Sequence, residues 1–280
     1  MLTADLHIHT TFSDGTDTPK EVVEKASIMG LHTIAITDHD AIDGIEEALK
    51  CANNTTVEVI PGVELSSYVE ERSFHILGLF IDWQNDWLKE NLDFFKRQRK
   101  VRGERIVEKL QKLGVKISMK DVLSISGNGS VGRPHIAEAL VKVGAVSSFD
   151  QSFEIYIGKN RPAYVPKYQL SPAQAAEIIH NAGGVAVLAH PLISAANEEQ
   201  IVQIMSMGMD GIEVYHPKHE DTRIEKLKRM AEENNWLITG GSDYHGEVRS
   251  LSSLAECGVN NTTVKEIKKF WNNLRKNLSK

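Results

Sequence analysis

Seven short runs of apolar and β-branched residues, most followed by a stretch with helical signals, restrict this chain to few architectures. They lie near residues 5–9, 32–37, 57–60, 74–80, 185–189, 211–215 and 236–239. Thr18-Pro19-Lys20-Glu21 reads as a capping box with proline in the first turn, opening a helix that closes near Gly30. Further helices are expected over 45–52, from Ser171-Pro172 to Gly183, and over 264–274. Strands alternating with helices imply parallel pairing, right-handed crossovers and a sheet covered on both faces. An α/β barrel meets those conditions, with a doubly wound open sheet as its competitor.

The alternation breaks after the fourth strand. A long charged helix is expected over about 85–113, and shorter helical pieces continue to about 157. The expected division is a discontinuous barrel of residues 1–95 and 165–280, interrupted by a helical insertion of residues 96–164.

The polar residues at the strand ends choose between the two architectures. In Asp5-Leu6-His7-Ile8-His9 the side chains alternate faces, so His7 and His9 project on one side. Asp14 follows in the next turn. His39, Glu64, His190, Asp243 and His245 also sit at or just past strand ends, where α/β barrels gather functional residues. His75 lies early in the fourth strand, so that strand is expected to be irregular or to run differently.

Six histidines (His7, His9, His39, His75, His190, His245) and three carboxylates (Asp14, Glu64, Asp243) are too many ligands for one ion. Three divalent ions sharing a carboxylate fit the count. Imidazole and carboxylate without cysteine suit manganese, with iron or zinc as alternatives. Such ions bring twice the charge that the three carboxylates cancel, which calls for an anionic guest and favours phosphoester hydrolysis. Asp5 and Asp38 are expected to orient ligating histidines, and Asp40 to serve a turn. His32 and His180 read as structural.

Composition excludes several classes. A net charge of −6 argues against charge-driven binding of long nucleic acid over the whole surface. Lys96-Arg97-Gln98-Arg99-Lys100-Val101-Arg102 is a dense basic run, read as a solvated helix face or as an approach path for a short phosphorylated ligand. Two cysteines, Cys51 and Cys257, form no disulfide framework, and neither a leader nor a spanning segment is evident. A cytoplasmic protein with no membrane association and no obligate protein partner is expected.

Together D-L-H-I-H-T-x-F-S-D-G, I-T-D-H-D, P-G-V-E, F-H-I-L-G, L-A-H-P and G-S-D-Y-H-G resemble the PHP (polymerase and histidinol phosphatase) phosphoesterases, over nearly the whole chain. The resemblance implies a distorted seven-stranded (β/α)7 barrel holding three metal ions. It assigns His7, His9, Glu64 and Asp243 to the first ion, and Glu64, His75 and His190 to the second. Asp14, His39 and His245 go to the third. V-G-R-P-H-I-A-E-A-L-V and F-E-I-Y-I-G-K-N-R-P-A-Y-V-P look like the nucleoside 3′,5′-bisphosphate phosphatase and 5′-to-3′ exoribonuclease branch, in which the insertion forms a lid. On that resemblance Arg133, His135 and Arg161 contact the phosphate that is not cleaved, with His216 and His219 as further candidates. The substrate would be a small phosphorylated nucleotide or short RNA. Arg133-Pro134-His135 also reads as an ordinary helix start. The rivals are a histidinol-phosphate phosphatase, which shares the metal motifs, and a module that binds metal without catalysis.

Overall fold

The computed structural model describes residues 2–70, 72–126, 131–246 and 253–278. They group into two compact units, one of Met1–Glu90 with Leu170–Lys280 and one of Asn91–Gln169. The sequence alone drew the insertion as 96–164.

The first unit is built on one seven-stranded sheet in sequence order: β1 (Ala4–Ile8), β2 (Thr33–Ile36), β3 (Glu58–Val69), β4 (Arg72–Leu79), β5 (Val185–Leu188), β6 (Gly211–Tyr215) and β7 (Leu237–Gly240). A parallel bridge between Ile8 and Tyr244 brings the two edges together, so the sheet is a nearly closed barrel. Its helices are α1 (Pro19–Ile28) and α2 (Ile45–Ala52), then, beyond the insertion, α7 (Pro172–Asn181), α8 (Pro191–Ser194), α9 (Glu198–Met205), α10 (Asp221–Asn234) and α11 (Asn261–Leu278). The capping box at α1 is formed: Thr18 Oγ1 accepts from the Glu21 N–H at 3.2 Å, and the Glu21 carboxylate accepts from the Thr18 N–H at 2.8 Å. Val22, Val23 and Ala26 on its inner face pack into one buried cluster with Ile8, Ile34 and Ile36. Leu6, Ala35, Ile60, Leu77 and Val187, from five strands, join a second cluster with Val264 and Ile267 of α11. Burying each valine, leucine or isoleucine among them contributes about 1.5–3 kcal/mol.

One strand departs from the parallel arrangement expected. β4 pairs antiparallel with both β3 and β5, whereas the other neighbours are parallel. Only residues 70 and 71 separate β3 from β4, which allows a hairpin and forbids the long crossover that a parallel pair needs. β3 is also far longer than the expected 57–60. It pairs with β2 as far as Pro61 and with β4 from Gly62 onward, so the proline sits where the partner changes. The reversal explains His75: early in an antiparallel strand is the same rim as late in a parallel one.

The second unit takes in α3 (Asp86–Lys112) from Asn91 onward, α4 (Met119–Ser126), α5 (Arg133–Lys142) and α6 (Phe149–Gln151), which runs into a π-helical turn at Ser152–Ile157. Ile106, Leu110, Ile136, Leu140 and Ile157 form its buried core. Among the described residues no helix is long and apolar enough to cross a membrane.

Candidate metal centre

The centre is built around Glu64, a fully buried carboxylate on β3. His7 Nε2, His9 Nε2 and His39 Nδ1 lie 3.3, 3.1 and 3.0 Å from its Oε2. His75 Nδ1 and His190 Nε2 lie 2.8 and 3.4 Å from its Oε1. Asp243 Oδ1 approaches His7 Nε2 at 3.4 Å and His9 Nε2 at 3.3 Å. Asp14 meets His245 Nε2 at 3.3 Å and His9 Nδ1 at 3.8 Å. All nine side chains expected as ligands thus gather at one rim of the barrel.

At its middle, five polar atoms meet without closing hydrogen bonds. His7 Nε2, His9 Nε2, His39 Nδ1 and both Glu64 oxygens are buried and have no hydrogen-bond partner. Each buried polar group left so costs about 1–3 kcal/mol, and five of them in one place suit a donor set for cations. Among the described residues three groups have ligating atoms within 4.8 Å of one another: His7, His9, Glu64 and Asp243; His9, Asp14, His39 and His245; and His39, Glu64 and His75. The residues fit divalent ions of the imidazole- and carboxylate-binding kind. His190 joins through Glu64, and its ring lies 5.1 Å from that of His75.

Two of these residues stand on strained backbone. His190 has φ 28° and Asp243 φ 52°, left-handed values that cost a non-glycine residue about 1–3 kcal/mol. Such strain persists where surroundings impose it. Gly241, just past β7, lies so close to β1 that a Cβ there would collide with His7.

The charges follow from crowding. Burial alone would raise Glu64, but the imidazoles of His39, His75 and His7 hold it well below the carboxylate range. Asp243 and Asp14 are lowered in the same way, against burial, by His7 and by His39 respectively. Burial opposes protonation of His9, yet Asp243 and Glu64 lift it to about 10, whereas burial prevails at His39 and lowers it to about 3.

The orienting residues differ from those expected. Asp5 accepts from the N–H groups of His7, Ser242 and Ala255 at 3.3, 3.0 and 3.0 Å, and from Ser242 Oγ at 2.6 Å. Asp38 accepts from Thr10 N–H, Thr10 Oγ1 and Ser13 Oγ at 2.7, 2.7 and 2.5 Å. Neither holds a hydrogen bond from an imidazole; they tie down the segments that carry the ligands. The imidazole partner is Glu213 of β6, whose Oε1 accepts from His7 Nδ1 at 3.0 Å. Sequence reasoning missed it, because a lone acid in an apolar strand gives no sign of what it faces. Asp40 accepts from the Ser66 N–H at 3.1 Å and has φ 49°, in keeping with a turn.

His216 and His219, expected as phosphate contacts, are buried. His216 Nδ1 accepts from the Lys218 N–H at 3.1 Å, which leaves the ring proton on Nε2, 3.4 Å from Asp243 Oδ2. His219 donates Nδ1–H to the Val214 carbonyl at 2.9 Å, and burial lowers its pKa to about 4. Its buried Nε2 is therefore an acceptor. In the neutral ring the one N–H is thus spent on that carbonyl.

Arg133, His135 and Arg161 belong to the second unit. The Arg133 guanidinium stands 5.6 Å over the Phe153 ring and 5.9 Å over the Tyr164 ring. His135 Nδ1 accepts from the Gly132 N–H at 3.1 Å, capping α5 and leaving the ring proton on Nε2. Arg161 lies in an exposed turn where its N–H donates to the Gly158 carbonyl at 3.0 Å. In the basic run, Arg102 donates from Nε to the Val165 carbonyl at 2.9 Å.

The PHP domain model matches residues 5–278. The chain is 36% identical over 245 residues to a 5′-3′ exoribonuclease of Haemophilus influenzae, covering 86% of this chain and 89% of that one. It is 31% identical over 250 residues to a 3′,5′-nucleoside bisphosphate phosphatase of Chromobacterium violaceum, covering 88% of each. Among solved structures, a Bifidobacterium adolescentis protein described as a metal-dependent phosphoesterase matches with a TM-score of 0.81 at 33% identity, over 94% of each chain.

Proposed function

From the premise that this chain belongs to the PHP family and is a metal-dependent phosphoesterase, we propose that it removes the 3′-phosphate from nucleoside 3′,5′-bisphosphates. Trimming of short 5′-phosphorylated RNA from its 5′ end is the accompanying activity, in line with the name of the Haemophilus influenzae relative. The observation that carries the reading is the convergence of five imidazoles on the two Glu64 oxygens without a hydrogen bond.

His7, His9, Glu64 and Asp243 hold a first divalent ion, Glu64, His75 and His190 a second, and Asp14, His39 and His245 a third, with manganese preferred. His9 adds a ligand to the third group, since its atoms lie with those of Asp14, His39 and His245. When bound, the ions supply Lewis acidity to the phosphoryl oxygens and lower the pKa of water. Even with Glu213 added to the three carboxylates, the six positive charges of three ions remain in excess. That surplus recruits a phosphate dianion and disfavours an uncharged ester or amide.

Arg133 and Arg161 grip the phosphate that stays on the product, and His135 donates Nε2–H to one of its oxygens. The aromatic rings beside Arg133 hold its guanidinium without neutralising it, so the charge remains for substrate. His216 donates towards Asp243 and acts on the centre through that carboxylate. A cytoplasmic location belongs to the same proposal and is supported by the nucleotide substrates proposed.

Phosphate release from adenosine 3′,5′-bisphosphate and from histidinol phosphate, measured side by side with manganese, tests the substrate. The bisphosphate is expected to be preferred at least about 100-fold in kcat/KM, about 2.7 kcal/mol of transition-state discrimination. Preference for histidinol phosphate overturns the assignment.

A further inference from the structure

β6 contributes no member of the metal groups, yet its middle residue is a carboxylate with no exposed surface. Glu213 divides its two oxygens between two residues of the centre. Oε1 lies 3.0 Å from His7 Nδ1, and Oε2 accepts the backbone N–H of His190 at 2.7 Å. His7 turns its other nitrogen, Nε2, towards Glu64 and Asp243 at 3.3 and 3.4 Å.

An ionised carboxylate can only accept, so Nδ1 must carry a proton, and in the neutral ring Nε2 then keeps its lone pair for the centre. The opposite tautomer would set a lone pair against Glu213 and a proton where an ion must bind. Oε2 meanwhile anchors the N–H of a residue held at φ 28°. The bond stands where the backbone is strained. One side chain thus serves two ligands from opposite sides, and both partners are donors.

We infer that Glu213 is a positioning residue that locks His7 in the Nδ1–H form, leaving Nε2 free to coordinate, and anchors the left-handed backbone of His190. The inference rests on the proposal above that His7 and His190 are ligands. It assigns β6 a part in the centre through a residue that need not touch substrate or ion. Glu213→Gln probes it at constant volume, because a carboxamide has one accepting end and one donating end. If its oxygen keeps His190, its NH2 faces Nδ1 and drives the ring proton to Nε2, where it blocks coordination. If its oxygen turns to His7, the His190 N–H loses its acceptor. Either orientation spoils one ligand.

The test reloads wild type and E213Q with zinc or manganese and counts bound ions by elemental analysis after desalting, with affinities from chelator competition. E213Q is expected to bind one ion fewer per chain, or to hold it about 10- to 100-fold more weakly, while keeping the others. Its circular dichroism without metal should match wild type. A role confined to folding would lower the melting temperature and leave ion count and affinity alone. That result, or wild-type binding in E213Q, overturns the inference.

Because E213Q could fail to fold, zinc-loaded wild type labelled with 15N-histidine supplies a measurement that needs no change at residue 213. His7, assigned by the signal that disappears in His7→Gln, should show a protonated, hydrogen-bonded Nδ1. A bare Nδ1 sinks the inference. If wild type itself binds no ions, the metal-centre reading fails and takes this inference with it. If wild type loads fully and E213Q does too, only the role of Glu213 falls.

Discussion

At the end of the barrel where β5 and β6 begin, His180 closes α7 and brings Nε2 to 2.8 Å from Asp210 Oδ2. The same oxygen accepts the Ala186 N–H at 2.8 Å. At the other end, three imidazole nitrogens and both oxygens of Glu64 crowd together with no hydrogen bond among them. Both ends set histidine beside acid, from residues of the same kinds. The pair at the lower end closes its hydrogen bond, and the same oxygen takes a second one from the backbone. The rim leaves its atoms aimed at shared points, a waste of several kcal/mol unless cations occupy those points. What separates a structural pair from a metal centre is therefore whether the bonds close, and residue type alone does not decide it.

The comparison breaks most sharply at His9, which belongs to two of the three groups. His9→Ala should reduce phosphate release by on the order of 1000-fold and remove at least one ion per chain, with the fold retained. His180→Ala should leave hydrolysis within about twofold of wild type. Equal hydrolysis by wild type and H9A would make the rim structural, like the lower end, and would favour a metal-binding module without catalysis.

Reloading the metal-free protein with manganese should raise its stability, by about 2.7 kcal/mol for each ion present at 100 times its Kd. The same addition to H9A should raise it less. Thermal unfolding followed against manganese concentration gives both values, and a flat response in wild type would remove the distinction between the two ends.

Asp38→Asn replaces one accepting oxygen by an NH2 group in a carboxyl that now receives three hydrogen bonds. The expected cost is about 1–3 kcal/mol in denaturant unfolding, with metal content preserved. Loss of ions without loss of stability would mean that Asp38 acts on the ligands directly.

The smallest effect belongs to His180. Its hydrogen bond to Asp210 raises its pKa above 6.5, against the opposing pull of burial. A raised folded pKa stabilises the protein fully below the unfolded value and loses that contribution as pH climbs through the raised one. His180→Gln keeps a donor but does not titrate. The gap in melting temperature between wild type and H180Q should therefore narrow between pH 6 and pH 9. A constant gap would show that the pair stays neutral.

Much of this protein is written locally in the chain. The capping boxes at Thr18 and Ser171, the proline starts and the short apolar strands fold on nearest-neighbour chemistry, and α2 and β6 fall at the expected residues. The nine rim residues are recognisable because histidine and acid beside strand ends are uncommon and their order along the chain survives folding. The direction of β4 was open, and only His75's early position hinted at the reversal. Arg133-Pro134-His135 shows the opposite difficulty, since a helix cap and a phosphate contact use the same residues.

What the amino acids alone determined is the inventory: which donors exist, on which strands, and with what total charge. Tertiary structure decided how each donor is used. Glu213 and His7 are 206 residues apart in the chain, and only the sheet brings them to 3.0 Å. Likewise the Lys218 and Val214 backbones, through the local turn after β6, put the ring proton on opposite nitrogens of His216 and His219. A hydrogen bond depends on where a lone pair points, and direction is a property of the folded chain that composition and spacing do not carry.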